Sequence, residues 1–191
     1  YIYQDEMNSE KVMMHLYQGG LGLPDRDYYF KTETRFVNYR AEYLKHISAM
    51  LQLIGEDANT ADADALKMMT LETAMAKVSK TVEDMRDTYA NYHKMKLDDC
   101  NKLTPGINWN DMFTKMQIKN LDSVIVAQPE FYTAISKMIN TVSINDWKIY
   151  LRYQLLTAFA SDLSSNFDKE NFRFYGTVLS GVPQQRPRWK R

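Results

Sequence analysis

Apolar residues recur every three or four positions along most of this chain, and that spacing predicts helices. Phe36, Tyr39, Tyr43, Ile47, Met50 and Ile54 form one stripe from about Lys31 to Gly55, where a glycine suits a helix C-terminus. Leu66, Met69, Thr73 and Ala76 continue the pattern to about Lys80, behind a cap expected in Thr60-Ala61-Asp62. Residues 83–95 read as a third helix. Residues 96–103 read as a short one stopped by Pro105-Gly106, and Asn108 caps another running to about Ile118. Pro129 opens a helix whose buried side is Phe131, Ile135, Met138 and Ile139. Asn145 or Asp146 is expected to cap the last strong helix. There Trp147, Leu151, Leu155, Ala158 and Asp162 lie on one stripe, widened by Leu156, Phe159 and Leu163, which predicts a central helix. Residues 168–180 make a weaker one.

Strand signals are few. Residues 11–18 read as a short strand or extended segment, and the β-branched run 122–126 is too short to define a sheet. Gly19-Gly20-Leu21-Gly22-Leu23-Pro24 is loop chemistry, followed by Asp25 as a helix cap. The expected fold class is mostly α, a lobe of about seven helices with one or two short strands. No internal repeat or linker divides it.

Composition narrows the function. The 24 basic and 24 acidic residues cancel, which removes the basic surplus on which phosphate recognition depends. The one basic cluster, Arg186, Arg188, Lys190 and Arg191, reads as a solvated chain end. Cys100 is the only cysteine, so neither an intrachain disulfide nor a multi-cysteine zinc site is open to the chain. No apolar run approaches the roughly 20 residues that span a bilayer. The chain opens on Tyr1 and closes on a charged tail, and is therefore read as a segment of a longer polypeptide.

Catalytic constellations are missing. A zinc peptidase helix needs two histidines one turn apart, and His15, His46 and His93 offer no such pair. The serines form no G-x-S-x-G elbow, Cys100 sits beside acidic residues, and the glycine run lacks the Lys-Ser/Thr ending of a phosphate loop. Asp62, Asp64 and Glu72 read as a solvated helix face. Met68, Met69, Met75 and Met85 read as filler between helices, with an adaptable peptide-binding surface as the other reading.

One segment is more specific. Gln18-Gly19-Gly20-Leu21-Gly22-Leu23-Pro24-Asp25-Arg26-Asp27-Tyr28-Tyr29 resembles the Q-x-G-L-x-L-P-x-R-D-Y-Y signature of the neprilysin and endothelin-converting-enzyme family of zinc metallopeptidases. Upstream, Asp5 and Asn8-Ser9 resemble the family's D-x-x-N-S lead-in. Downstream, the same order holds through Tyr43, His46, Leu71-Glu72, Arg86-Asp87, Tyr92 and Leu103-x-Pro105-Gly106-Ile107-x-Trp109. It continues through Trp147, Tyr150-Leu151-Arg152, Phe174-Tyr175-Gly176 and the closing Pro187-Arg188-Trp189-Lys190-Arg191.

The resemblance implies the N-terminal helical, lid-like region of such an enzyme, spanning residues 1–191. The catalytic domain of its own chain would be the partner. The family's zinc ligands, an H-E-x-x-H helix and a later glutamate, have no counterpart here. Its N-A-x-Y substrate segment has none either; Ala90-Asn91-Tyr92 is scrambled and receives no role. Expected catalytic and metal-binding residues are therefore none, and zinc belongs to the full-length protein. The fragment alone is expected to be inactive, and to contact neither nucleic acid nor membrane. It would wall a cavity that admits peptide substrates and excludes folded proteins. The absence of disulfides points to a bacterial relative, with export to the periplasm or envelope implied by the family. Leu23, Pro24, Arg26, Asp27, Tyr28 and Tyr29 are the expected structural signature: Pro24 sets a turn, Asp25 or Asp27 satisfies helix-start amides, Arg26 pairs with a carboxylate, and the tyrosines pack behind the loop. Periodicity alone supports a different reading, a free-standing helical scaffold that binds peptides or proteins.

Overall fold

The computed structural model describes residues 1–190. The chain is mostly α, with eight α-helices and one four-stranded sheet among the described residues. It packs as two compact units built from interleaved stretches, Tyr1–Leu21 with Ala74–Val142, and Gly22–Thr73 with the chain from Ser143 onward. One division falls inside a helix, so no linker composition marks it.

In the first unit, β1 (Ile2–Asp5) and β2 (Asn8–Leu16) form an antiparallel hairpin. β2 runs parallel to β4 (Ser123–Val126), which pairs antiparallel with β3 (Lys94–Lys96), giving the order β1-β2-β4-β3. Alternation sends Met14, Leu16, Val124 and Val126 to one face. There they pack with Cys100 of α4 (Leu97–Leu103), and with Trp109 and Phe113 of α5 (Trp109–Lys115). Tyr132 of α6 (Pro129–Thr141) closes this core. The buried Trp109 indole donates to Thr104 Oγ1 at 2.7 Å. Burial pushes the Cys100 thiol up to about 11.

The sheet is larger than the one or two strands expected. β1 and β3 are short and largely exposed, so they carry no alternating pattern. The run at 122–126 gains its partner from a strand over 100 residues away. Residues 83–95 are not a third helix. Only Asp84–Arg86 makes a 3₁₀ turn. Asn91 Nδ2 donates to the carbonyls of Asp84 and Asp87, both at 2.7 Å, and Asp87 Oδ1 accepts the Ala90 N–H at 2.9 Å. Asx side chains thus take up the backbone groups a helix would pair internally. Asn108 caps α5 as expected, its Oδ1 accepting the Asp111 N–H at 3.0 Å.

The second unit holds α1 (Asp27–Phe30), α2 (Thr34–Leu53), the first sixteen residues of α3 (Ala58–Val78), α7 (Ile144–Ala158) and α8 (Ser165–Asn171). α8 widens into a π-helical turn over Phe172–Leu179 where a weaker helix was expected. The α2 stripe is buried through Phe36, Tyr43, Ile47 and Met50. Gly55, at φ +99°, follows α2 in a conformation that favours glycine.

Two caps and two faces differ from expectation. Asp57, not Thr60 or Asp62, takes the α3 start, its Oδ1 accepting the Thr60 N–H at 3.1 Å. Ser143, not Asn145 or Asp146, caps α7, its Oγ accepting the Asp146 N–H at 3.1 Å. Along α3 the buried side is Ala61, Ala65, Met68, Leu71 and Glu72, while Leu66 is exposed. Met68 and Met75 are core residues. Along α7 the buried residues are Ile149, Tyr150 and Tyr153, and the Leu151/Leu155 stripe faces outward. α7 is apolar on opposite sides, so periodicity located a face without deciding which one this unit covers. The basic end cluster lies partly beyond description: Arg191 and the Arg188 side chain lie outside the described residues.

Candidate functional site

The loop that carries the sequence signature closes over one buried carboxylate. Glu72 is completely inaccessible. Tyr29 Oη donates to its Oε2 at 2.6 Å, and Tyr43 Oη donates to its Oε1 at 3.0 Å. Gln154 Nε2 reaches Oε1 at 3.4 Å, and the Gly22 N–H adds a backbone donor. These groups come from the loop, α1, α2, α3 and α7, so one carboxylate ties five segments together. Burial pushes Glu72 up to about 7, against the pull of the Tyr29, Tyr43 and Gly22 hydrogen bonds. Burial also raises the surrounding phenols: Tyr29, Tyr43, Tyr150 and Tyr153 all move upward, and Tyr175 reaches about 12.

Gly22 is required by close approach. A Cβ there would overlap the Tyr43 hydroxyl and stand 3.2 Å from Glu72 Oε1. Its carbonyl accepts from Tyr175 Oη at 3.1 Å. The π-helical turn explains how Tyr175 gets there: the wider turn lets adjacent Phe174 and Tyr175 both point inward. Phe174 stacks on Tyr43 at 5.2 Å and on His46 at 5.0 Å, while Tyr175 meets Tyr153 Oη at 3.4 Å.

His46 stands beside the cage in ring contact with Tyr153, Phe174 and Tyr175, and starts a separate polar cluster toward the surface. Its Nδ1–H donates to Glu170 Oε1 at 2.9 Å, and burial lowers the imidazole despite Glu170. Arg173 grips Glu170 through Nε (2.8 Å to Oε2) and NH2 (2.9 Å to Oε1), and reaches Glu42 at 2.7 Å. Burial raises Glu170, but the His46 and Arg173 hydrogen bonds outweigh it and the net shift is downward. Glu170 and Arg173 line an open groove of about 620 Å3 with Ala49, Gln52, Leu53, Asn166 and Lys169.

The signature residues divide into two groups. Leu23 is buried and its N–H donates to Tyr29 Oη at 3.2 Å, which places both in the Glu72 cage. Pro24 is exposed at the turn. Asp25, rather than Asp27, satisfies the helix-start amide: its Oδ1 accepts the Asp27 N–H at 2.8 Å. Asp27 instead pairs with Lys31 at 2.8 Å. Arg26 lies over the Phe30 ring at 5.7 Å, and its buried Nε makes no hydrogen bond among the described residues. Tyr28 packs edge-on against Phe36 and stacks with Tyr39. Asp25→Ala is therefore expected to cost about 1 kcal/mol, and Asp27→Ala, which breaks only an exposed pair, less than that. Urea unfolding of the two variants decides it; a larger loss from Asp27→Ala would return the cap to Asp27.

A model of peptidase family M13 matches residues 1–191. This chain belongs to peptidase family M13. Endothelin-converting enzyme 1 of Cavia porcellus is 30% identical over 196 residues, covering 100% of this M13 chain and 26% of the relative. Neprilysin-3 of Drosophila melanogaster is 28% identical over 87% of the chain and 22% of its own length. Among solved structures, the Mycobacterium tuberculosis zinc metalloprotease Zmp1 in its open state superposes with a TM-score of 0.93 at 28% identity, over 100% of this chain and 30% of that one. The M13 chain thus spans about a quarter of the curated relatives it matches, and it is the N-terminal part of the family that it resembles.

The family is one of zinc metallopeptidases, but the donor set of this stretch does not fit a zinc ion. Among the described residues no three His, Cys, Asp or Glu side chains stand close enough to share one. His46 spends its Nδ1 on Glu170 and is packed between aromatic rings. His15 lies buried against the Tyr1 ring at 5.4 Å. Glu72, read from sequence as part of a solvated helix face, is the centre of the M13 chain's buried network; Asp64 is also buried, and only Asp62 of the three is exposed. The signal that could have found Glu72 was its position beside Leu71, in step with Ala61, Ala65 and Met68 on the same helix face.

Proposed function

We propose that this chain is the non-catalytic helical lobe of an exported bacterial zinc metalloendopeptidase that cleaves oligopeptides. It walls the internal cavity facing the catalytic domain and so limits substrates to short, unfolded peptides. The observation that carries this reading is the match of the whole chain to family M13; in support, no three metal-ligating side chains come together among the described residues. Zinc and its ligands then belong to the rest of the polypeptide. A wall has its own part in such chemistry: it keeps bulk water from a polarised carbonyl and sets the size of what enters. The Glu72 cage suits this role, because it locks a loop and four helices without exposing a reactive group. Among the described residues no helix is long and apolar enough to cross a membrane, and we assign this segment no membrane or nucleic-acid contact.

Metal analysis and a peptidase assay test the reading. The full-length polypeptide should carry one zinc, cleave short peptides in a chelator-sensitive way and spare folded proteins. The 191-residue chain alone should hold no stoichiometric zinc and cleave nothing. A catalytic ion held by His15, His46 or His93 in the short chain would overturn the proposal. Tight, specific peptide binding by the short chain alone would favour a free-standing scaffold.

A further inference from the structure

α7 has two apolar faces, and its own unit covers only one. Ile149, Tyr150 and Tyr153 are buried. Half a turn away, Ile144, Leu151, Leu155 and Phe159 are exposed by 70, 60, 60 and 53%, with exposed Ala158 between the last two. Spacings of seven, four and four residues put them on one face, with Leu151, Leu155 and Phe159 in unbroken succession. Single exposed apolar residues need no explanation, but a stripe of four large ones does. Charge enters it at one point: Arg152 is drawn aside to Glu56 at 2.7 Å, whereas exposed Lys148 stands on the same face between Ile144 and Leu151, and Asp162 lies past Phe159.

We infer that this stripe is an internal docking face, covered in the full-length peptidase by an apolar surface of the polypeptide outside these 191 residues. The inference rests on the reading of the chain as one lobe of a larger M13 enzyme. The stretch matched here is 26% of endothelin-converting enzyme 1 and 30% of Zmp1, so most of a relative's polypeptide is available as the occupant. Area also favours a covalently continuous partner over a second copy. Four side chains of this size offer on the order of 400 Å2, against roughly 800 Å2 per partner in a stable complex of free molecules. A contact that small holds when the partner belongs to the same chain, because continuity supplies the effective concentration.

Hydroxyl-radical footprinting read by mass spectrometry tests the assignment without a variant. Leu151, Leu155 and Phe159 should be labelled readily in the 191-residue chain and several-fold less in the full-length polypeptide. Equal labelling in the two overturns it. So does concentration-dependent protection in the short chain with a dimer mass by light scattering, which would make a second copy the occupant. A paired variant, L151D/L155D, should leave the melting temperature of the short chain unchanged and lower that of the full-length polypeptide; equal losses in both would again sink it. Activity is scored separately. A protected stripe in a polypeptide without zinc-dependent cleavage would refute the peptidase reading and leave the docking face standing. An exposed stripe in an active enzyme would do the reverse.

Discussion

Replacing Gly22 with alanine is expected to destabilise the chain by about 2–3 kcal/mol, the upper part of the range for forcing an added carbon into a packed interior. The new Cβ would collide with the Tyr43 hydroxyl, which is held on Glu72 and stacked from behind by Phe174. Tyr43 is fully buried and has no room to swing aside. The loop has little freedom to retreat, because the Gly22 carbonyl is bound to Tyr175 and the Leu23 N–H to Tyr29. The collision is worst with the Tyr43 hydroxyl and next with Cζ, at 2.6 Å, so the hydroxyl gives the prediction its check. Tyr43→Phe removes the hydroxyl, the worse of the two clashes, and costs about 1–3 kcal/mol by itself, since Glu72 loses a donor. Combined, the two substitutions should cost clearly less than their sum, with a coupling of about 1 kcal/mol or more. Urea unfolding of the four proteins measures it. Additive losses would mean that Gly22 is not there to make room for Tyr43.

The second large effect is on pH dependence. Glu72 is raised from the ordinary glutamate range to about 7, so the folded chain holds a proton that the unfolded chain releases at lower pH. The sign follows from that difference. Stability from this group is fully present below the unfolded value and is lost as pH rises through about 7. A displacement of this size amounts to about 3 kcal/mol. The groups facing Glu72 are the Tyr29, Tyr43, Tyr150 and Tyr175 phenols and the Gln154 amide. All these phenols are raised away from neutrality, so none titrates in the same window. His46 does change charge nearby, with the opposite sign: lowered by burial, it contributes stability above its unfolded value that is lost as pH falls. The measurement is therefore the difference between the wild-type and Glu72→Gln stability profiles from pH 5 to 8. The difference should move in favour of the glutamine variant as pH rises through about 7, so that it matches or exceeds wild type at pH 8. Superimposable profiles would show that Glu72 remains ionised inside its cage.

Both effects fall at the place where sequence and structure diverged most. The stretch Gly19 to Tyr29 was legible as a special loop from its glycines, proline and paired tyrosines. Its purpose was not, because Glu72, Gln154 and Tyr175 are supplied from 43 to 153 residues away. Glu72 looked like one more helix-surface carboxylate among Asp62 and Asp64. Only its partners distinguish it, and partners across a fold leave no local pattern. Residues 83–95 differ for a local reason: a helical spacing lost to the side-chain hydrogen bonds of Asn91 and Asp87 to backbone groups three to seven residues away.

What the sequence determined by itself was whatever depends on neighbours along the chain: the helices of α2, α3, α6 and α7, the Asn108 cap, the Pro129 start, the Gly55 stop, and the ordered residues that mark the family. What only the tertiary structure decided was which side of α7 is covered, which carboxylate is buried, and how four short strands find one another. The physical reason is the range of the forces involved. Helical hydrogen bonds close within four residues and leave a periodic trace. Burial and strand pairing are settled by whatever distant segment arrives, and an apolar stripe records only that something must cover it.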